Sequence, residues 1–142
     1  TCTVWLAVDD ANEENGCLKF IRGSHRDKNL KQHEFNEDKN LTLHQELLKS
    51  EFNEKESVNL ILKRGQISLH DVYLVHGSDA NLSSKSRRGM TMRFMPTTSV
   101  FDHNLAKEKY NNLNVSKYSN RKIYLARGYD KSKRNSLEVA NF

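Results

Sequence analysis

The most informative part of the sequence reads Leu74-Val75-His76-Gly77-Ser78-Asp79-Ala80-Asn81, then Leu82 to Ser86, then Arg87-Arg88-Gly89-Met90-Thr91-Met92-Arg93-Phe94. It predicts an apolar strand that ends at His76, a polar turn, and a second strand that begins at Arg87. An antiparallel return would bring the guanidinium close to the imidazole. An imidazole nitrogen is a common metal ligand, and a guanidinium binds a carboxylate through two parallel hydrogen bonds. The run therefore predicts a metal ligand beside a carboxylate site.

The period-2 alternation of side chains selects which residues share a face with His76. A strand from Ile67 to His76 would place Ser68, His70, Val72, Leu74 and His76 on one face. The next strand would place Arg87, Gly89, Thr91, Arg93 and Met95 together, with Met90, Met92 and Phe94 opposite. We therefore expect Arg87 rather than Arg88 to face the histidine, and His70 and Arg93 to line the same cavity.

Two further strands are predicted at the start of the chain. The residues from Thr3 to Asp10 (Thr-Val-Trp-Leu-Ala-Val-Asp-Asp) alternate and are rich in β-formers, and a second apolar run extends from Cys17 to Arg22. Asn15-Gly16 between them is a strong two-residue turn signal, so we expect a β-hairpin. Cys2 and Cys17 begin the two strands and would lie at opposite ends of that hairpin, which makes a disulfide between them unexpected.

These motifs stand in an order that resembles the phytanoyl-CoA dioxygenase family. The order is Trp-x-Ala-x-Asp-Asp, Glu-Asn-Gly-Cys-Leu and Gly-Ser-His, then a glycine turn, an apolar strand, His-Gly-Ser-x-x-Asn and an arginine. The likeness covers residues 1–97. The tail is only loosely similar to that family, through Pro96-Thr97-Thr98 and the segment from Ala126 to Asp130.

The resemblance implies a fold. Several short strands with turn signals between them, and no alternation with helices, predict a mainly β protein. The family's fold is the double-stranded β-helix, or jelly roll, here incomplete at its N-terminus. We expect residues 1–98 to form the jelly-roll core and residues 99–142 to form a C-terminal extension.

The resemblance also implies a reaction and its cofactors, Fe(II) and 2-oxoglutarate. His76 corresponds to the distal iron ligand, Arg87 to the clamp on the far carboxylate of 2-oxoglutarate, and Ser78 to a second contact with that carboxylate. Trp5 matches a tryptophan that walls the oxo-acid pocket, and His70 and Arg93 are candidate substrate contacts. The chain would be part of a dioxygenase that hydroxylates a small organic substrate.

The family's other two iron ligands form a His-x-Asp pair upstream of the tryptophan strand, so that pair would fall before Thr1. We therefore expect this segment alone to be inactive. Two local look-alikes compete for the ligand role, namely His25-Arg26-Asp27 and His44-Gln45-Glu46. The first lies in the family's Gly-Ser-His turn, and the second in a polar segment, so both are expected to be structural.

Each site residue also has an ordinary structural interpretation. His76 can be a hydrogen-bonded histidine at a strand end, Ser78 a turn residue, and Trp5 a core side chain. At the level of function, the alternative to an enzyme is a non-catalytic jelly-roll module that binds a carboxylate without a metal.

Composition bears on the partners of this 142-residue chain. Its net charge is +5 and its mean hydropathy is −0.81, with 36% hydrophobic residues. The basic residues are spread along the chain, acidic residues are interleaved through residues 34–56, and aromatic residues do not cluster with the cations. This pattern argues against nucleic-acid binding. Without a signal peptide or an apolar run of membrane length, we expect a cytoplasmic protein that does not bind membranes.

An incomplete jelly roll also leads us to expect association with a second copy of the chain. A jelly roll without its first strand and helices leaves a free strand edge near Thr3–Val8 and exposes apolar side chains, with Met90, Met92 and Phe94 foremost. Such edges and patches are normally covered, so we expect a two-fold homodimer. The alternative is that residues 99–142 fold back over the gap.

Overall fold

The structure is a computed structural model that describes residues 1–38, 44–110 and 118–139. Strands dominate these residues, which confirms the expectation of a mainly β protein. The strands are β1 (Cys2–Ala7), β2 (Leu18–Ile21), β3 (His33–Phe35), β4 (Gln45–Leu47), β5 (Ser57–Leu60), β6 (Ile67–Asp71), β7 (His76–Ser78), β8 (Gly89–Phe94), β9 (Ile123–Tyr124) and β10 (Leu137–Glu138). One α-helix, α1, covers His103–Tyr110, and short 3-10 turns cover Lys49–Glu51, Glu54–Glu56 and Tyr118–Asn120.

The chain divides into two compact units. The first contains Thr1–Glu34 and Leu47–Phe94, and the second contains Phe35–Glu46 and Met95–Phe142. The candidate site lies in the first unit. The predicted boundary at residue 98 stays a prediction about domain organisation.

One sheet of the first unit has the order β6-β1-β8, with β1 antiparallel to both neighbours. Thr3 lies between His70 and Arg93, and Trp5 lies between Ser68 and Thr91. Directly opposed residues in a sheet point to the same side. His70 and Arg93 therefore share the face that carries Trp5.

A second sheet has the order β5-β2-β7, again antiparallel. Phe20 on β2 lies opposite His76 on β7, and Leu18 lies opposite Ser78. Leu18 also lies opposite Leu60 on β5, and both leucines pack against the buried core.

The core forms where side chains of the two sheets meet. It contains Trp5, Ala7, Ala11, Cys17 and Leu62. Trp5 fits because Gly89 on β8 lacks a side chain. A Cβ at position 89 would lie 2.6 Å from the indole Nε1 and closer still to the six-membered ring. The Trp5–Gly89 contact thus closes one side of the core.

The predicted hairpin between the first two strands is wrong. β1 and β2 belong to different sheets, and residues 8–17 carry the chain from one to the other. Asn12 and Asn15 close a turn with reciprocal side-chain bonds to each other's backbone N–H groups, at 2.8 and 3.1 Å. Gly16 follows with φ of +71°. Asn-Gly does form a turn, but this turn links two sheets rather than two paired strands.

The prediction of one strand from Ile67 to His76 is also wrong. β6 ends at Asp71, whose side chain accepts a hydrogen bond from the Tyr73 N–H at 2.9 Å and whose carbonyl accepts one from the Leu74 N–H at 3.1 Å. Aspartate commonly bonds the backbone two residues ahead and ends a strand in this way. His76 therefore begins β7 in the second sheet, and His76 and Arg87 do not lie on adjacent strands.

The second unit contains features that the sequence did not reveal. α1 begins after Asp102, which accepts a hydrogen bond from the Leu105 N–H through its side chain and from the Ala106 N–H through its carbonyl. β9 has two residues and pairs in parallel with β10. Elsewhere in the chain β3 pairs with β4, and positions 39–43 between them lie outside the described residues.

The outer face of the β6-β1-β8 sheet exposes apolar side chains. Ile67, Leu69, Met90 and Phe94 are 53, 65, 52 and 45% exposed. Met90 and Phe94 are therefore exposed, as expected, whereas Met92 is half-buried. Within the described residues there is no helix that is long and apolar enough to cross a membrane.

Candidate functional site

His76 is held so that one ring nitrogen faces away from the backbone. Its Nδ1 lies 2.7 Å from the Leu74 carbonyl oxygen. A carbonyl can only accept, so Nδ1 carries the proton and Nε2 has the available lone pair. A histidine fixed in this tautomer is a typical metal ligand.

His70 packs against His76 across the two sheets. Their ring centroids are 4.9 Å apart with an interplanar angle of 50°. His70 is buried, and its Nδ1 lies 3.5 Å from the Ser68 hydroxyl oxygen. Burial lowers the pKa of His70, and the neighbouring His76 and Arg93 lower it further. His70 therefore favours the neutral state and forms one wall beside His76.

The Arg87 guanidinium makes a long hydrogen bond and has a buried nitrogen. Its terminal NH2 group donates a long 3.4 Å hydrogen bond to the Ser78 hydroxyl. Within the described residues, its Nε is a buried side-chain nitrogen with no hydrogen-bond partner. A buried donor without an acceptor is costly, and an oxygen of a bound anion would satisfy it.

Arg88 differs from Arg87 in both direction and partner. Its Nε and one terminal nitrogen each donate to Asp9 at 2.8 Å, forming a bidentate ion pair. The Arg88 side chain is 72% exposed, whereas Arg87 is half-buried. Arg87 is thus the arginine that faces Ser78, and Arg88 is occupied elsewhere.

Trp5 is a core residue in this arrangement. Its ring is buried against Gly89 and among the small side chains of the core. This packing agrees with the interpretation of Trp5 as a core side chain. A role in walling an oxo-acid pocket stays a prediction.

Arg93 lies on the same sheet face as His70, although its side chain is exposed. His70 and Arg93 are therefore brought to one region, as the sequence predicted, but His76 reaches that region from the other sheet. The contact of either residue with a substrate stays a prediction.

The two look-alike motifs are engaged in local contacts. Asp27 accepts hydrogen bonds from the Asn29 N–H and from Lys31 Nζ, both at 3.1 Å, and these contacts lower its pKa. His44 bonds the Asn36 carbonyl at 3.2 Å, and Glu46 accepts from the Asn36 amide at 2.7 Å. Across residues 1–38, 44–110 and 118–139, no three histidine, cysteine or acidic side chains converge in a metal-binding group.

An open depression of about 560 Å³ lies near the site but on another face. Ile21 and Val75 line it, and the Ile21 N–H donates to the Val75 carbonyl at 3.0 Å. These residues alternate with Phe20 and His76 along their strands, so they point to the opposite side of the sheet. The depression is therefore separate from the His76 region.

The loop before Arg87 is fastened by contacts that no sequence motif indicated. Lys19 on β2 forms 2.6 Å ion pairs with Glu54 and with Asp79, which follows β7. Asp9 and Asn15 hold the residues on either side of Arg87. An isolated lysine or asparagine carries no sequence signal for such non-local contacts.

The fold and the site together define a mainly β protein in which β7 supplies a histidine and the loop before β8 supplies an arginine with a buried N–H donor. The chain belongs to the phytanoyl-CoA dioxygenase family, because the model of that family, "Phytanoyl-CoA dioxygenase", matches residues 1–89. Fe(II) and 2-oxoglutarate are the cofactors of this family. The family named from the motif order is thereby confirmed.

Individual proteins show the same relationship. Proteins of Caenorhabditis briggsae and Caenorhabditis elegans, both named "Phytanoyl-CoA dioxygenase domain-containing protein 1 homolog", are each 35% identical over 97 residues, covering 65% of this chain and 33% of theirs. The structure of EvdO2 from Micromonospora carbonacea, complexed with 2-oxoglutarate, is 26% identical with a TM-score of 0.53 and covers 63% of this chain and 36% of that one. The chain thus spans about a third of the length of the curated relatives it matches.

Proposed function

We propose that this chain is part of an Fe(II)/2-oxoglutarate-dependent dioxygenase that hydroxylates a small organic substrate. In this proposal the two facing sheets are part of a jelly roll, His76 is an iron ligand, and Arg87 binds the far carboxylate of 2-oxoglutarate. The observation that carries the proposal is the buried, unpartnered Nε of Arg87 beside the Ser78 hydroxyl.

The chemistry of Arg87 fits a dicarboxylic oxo acid. A guanidinium offers parallel N–H donors to one carboxylate, and Ser78 adds a hydroxyl donor at the same place. The ion pair between Arg88 and Asp9 keeps the neighbouring cation occupied. Arg87 and Ser78 would therefore bind and orient the far end of 2-oxoglutarate.

The chemistry of His76 fits a ferrous ion. Its Nδ1–H bond to the Leu74 carbonyl leaves Nε2 for the metal and orients the ring. When bound, Fe(II) and 2-oxoglutarate together activate dioxygen for the hydroxylation of a C–H bond. The remaining iron ligands would come from a His-x-Asp pair in the complete protein, and for this reason residues 1–142 alone are proposed to be inactive.

Other residues of the chain would shape the site. Trp5 would wall the oxo-acid pocket, and His70 and Arg93 would line the region where the substrate binds. His70 is buried beside His76 and favours its neutral form, so it would exclude water there without adding charge. The identity of the substrate is left to experiment.

Turnover of 2-oxoglutarate to succinate by the complete protein encoded by the gene tests this proposal. We expect succinate formation that depends on Fe(II) and is lost in His76→Ala. Arg87→Ala should raise the KM for 2-oxoglutarate about 10- to 100-fold, since a hydrogen bond to a charged group contributes about 1.5–3 kcal/mol. Lys85→Gln is the matched control, because it removes an exposed cation of the same loop and should leave KM unchanged.

A different result would favour the binding module. If the complete protein binds 2-oxoglutarate through Arg87 but forms no succinate with or without Fe(II), the chain serves carboxylate binding rather than catalysis. If Arg87→Ala and Lys85→Gln behave alike, the clamp assignment is wrong.

A further inference from the structure

Arg87 lies between two residues that are each tied to the connection between β1 and β2. On one side, Arg88 is bound by Asp9. On the other, the Ser86 carbonyl accepts a 3.5 Å hydrogen bond from the Asn15 side chain. Both neighbours of Arg87 are therefore fastened by contacts that Arg87 itself does not make.

The contact between Asp9 and Arg88 is extensive. The Asp9 carboxylate accepts from the Arg88 backbone N–H at 2.9 Å and from two guanidinium nitrogens at 2.8 Å. The Arg88 carbonyl in turn accepts from the N–H groups of Val8 and Asp9 at 3.0 and 3.3 Å. These bonds lower the pKa of Asp9, so the carboxylate is ionised throughout the neutral range.

Asn15 supplies a rigid support for this contact. It is 1% exposed, and its side chain bonds the Asn12 N–H and the Asp10 carbonyl, both at 2.8 Å, as well as Ser86. Asp9 therefore projects from a connection whose backbone is fixed by a buried amide.

The strand register makes this contact important. Arg87 and Arg88 are adjacent and chemically identical, and a shift of one residue in β8 would exchange their faces. In the antiparallel pairing of β1 with β8, Ala7 lies opposite Gly89. Asp9 binds Arg88, the residue just before Gly89. The ladder and the Trp5–Gly89 contact hold the register within β8, but Arg87 and Arg88 precede the strand and follow a polar loop, residues 79–86, that has no apolar pattern of its own.

We infer that Asp9 is a positioning residue for Arg87: by binding Arg88 on the outer face, it fixes the register at which Arg87 faces Ser78. The inference rests on the proposed function, because it assigns to Arg87 the far carboxylate of 2-oxoglutarate. It predicts that Asp9 controls the preference for an oxo acid with a second carboxylate.

The test compares two oxo acids that differ in that carboxylate. Affinities of the complete protein for 2-oxoglutarate and for 2-oxobutyrate, which lacks the far carboxylate, are measured by titration calorimetry with Fe(II) under anaerobic conditions. Asp9→Ala should reduce the preference for 2-oxoglutarate about tenfold. An Arg87 guanidinium held out of position loses most of its contribution to binding the far carboxylate. A general loss of protein stability would weaken the binding of both oxo acids alike and leave the preference for 2-oxoglutarate unchanged.

Asp10→Ala is the matched control. Asp10 is the adjacent carboxylate and pairs with Lys63 and the Arg64 N–H at 3.1 and 2.8 Å, but it does not bind Arg88. We expect it to keep the wild-type preference. Arg88→Ala should act like Asp9→Ala, and the double variant should be no worse than either, because the two residues act as one unit.

The possible outcomes separate the inference from the proposed function. A wild-type protein with no preference for 2-oxoglutarate would contradict the proposed function. A wild-type preference that survives in Asp9→Ala, or in Asp9→Asn if the alanine variant does not fold, would overturn the positioning role while leaving Arg87 as the clamp.

Discussion

Arg87 and His76 show how single residues carry chemistry that their neighbours complete. The Leu74 carbonyl fixes the His76 tautomer, and burial leaves the Arg87 Nε in need of an acceptor. The spacing of the His-Gly-Ser motif and the arginine selected both residues as candidates for the site. The tautomer and the missing acceptor depend on the folded backbone and on burial, which a sequence does not display.

Gly89 offers a direct test of the packing around Trp5. A Cβ at this position would overlap the indole ring, so Gly89→Ala should destabilise the protein by about 1–3 kcal/mol through overpacking. Gly77→Ala is the control, since a Cβ there meets no atom within 4 Å. Urea unfolding of both variants measures the difference. Equal stability of the two variants would mean that the Trp5–Gly89 contact is not tight.

At the scale of elements, alternation identified strands but not their partners. The pattern from Thr3 to Val8 corresponds to β1, and the pattern from Gly89 to Phe94 corresponds to β8, yet both flanking predictions of hairpin and long strand failed. Sheet assignment depends on non-local hydrogen bonds, such as the pair that links Ala11 to Leu62 at 2.8 and 2.9 Å. His70 and His76 consequently meet across two sheets rather than along one strand.

A loop of the second unit should respond to acid. Asp130 accepts hydrogen bonds from Ser132 and Asn135, and Asn135 bonds the Ser99 carbonyl and the Phe101 N–H. These contacts lower the pKa of Asp130 from 3.8 to about 2. A lowered carboxyl pKa stabilises the fold above the unfolded pKa, and this contribution is lost as the pH falls through the folded value.

Thermal unfolding as a function of pH measures this effect. Wild type should have a higher Tm than Asp130→Ala by a constant margin above about pH 4, and the margin should close between about pH 4 and 2. A margin that is the same at pH 2 and at pH 7 would show that the Asp130 charge does not hold this loop.

At the scale of the whole molecule, the outer face of the β6-β1-β8 sheet stands out. Leu69 lies opposite Val4, which lies opposite Met92, so apolar side chains form a row across the three strands. Contiguous apolar faces of this kind favour association. The homodimer expected from the sequence therefore stays a prediction for this 142-residue chain.

Light scattering over a concentration series tests that prediction. The mass of the 142-residue chain should rise above 16.5 kDa with concentration, and Leu69→Glu should return it to that value. Leu82→Glu is the control, because Leu82 is 91% exposed in a loop and lies off this sheet. A wild-type mass that remains at 16.5 kDa would exclude the dimer.

The family could be predicted from the motif order because its motifs lie within residues 1–97, and the family model matches residues 1–89. The structure of the second unit could not, because its key contacts join residues far apart in sequence, such as Phe101 and Asn135. The Asp9–Arg88 pair was missed for the same reason, since the two residues are 79 positions apart.

The proposed function requires that His76 binds iron and Arg87 binds 2-oxoglutarate at one place. Anaerobic addition of 2-oxoglutarate to the complete protein with Fe(II) should produce a visible charge-transfer absorption, which requires the oxo acid to chelate the metal. We predict that this absorption appears in wild type, is absent in His76→Ala, and requires about 10- to 100-fold more 2-oxoglutarate in Arg87→Ala. An unchanged absorption in both variants, or none in wild type at saturating 2-oxoglutarate, would contradict the claim.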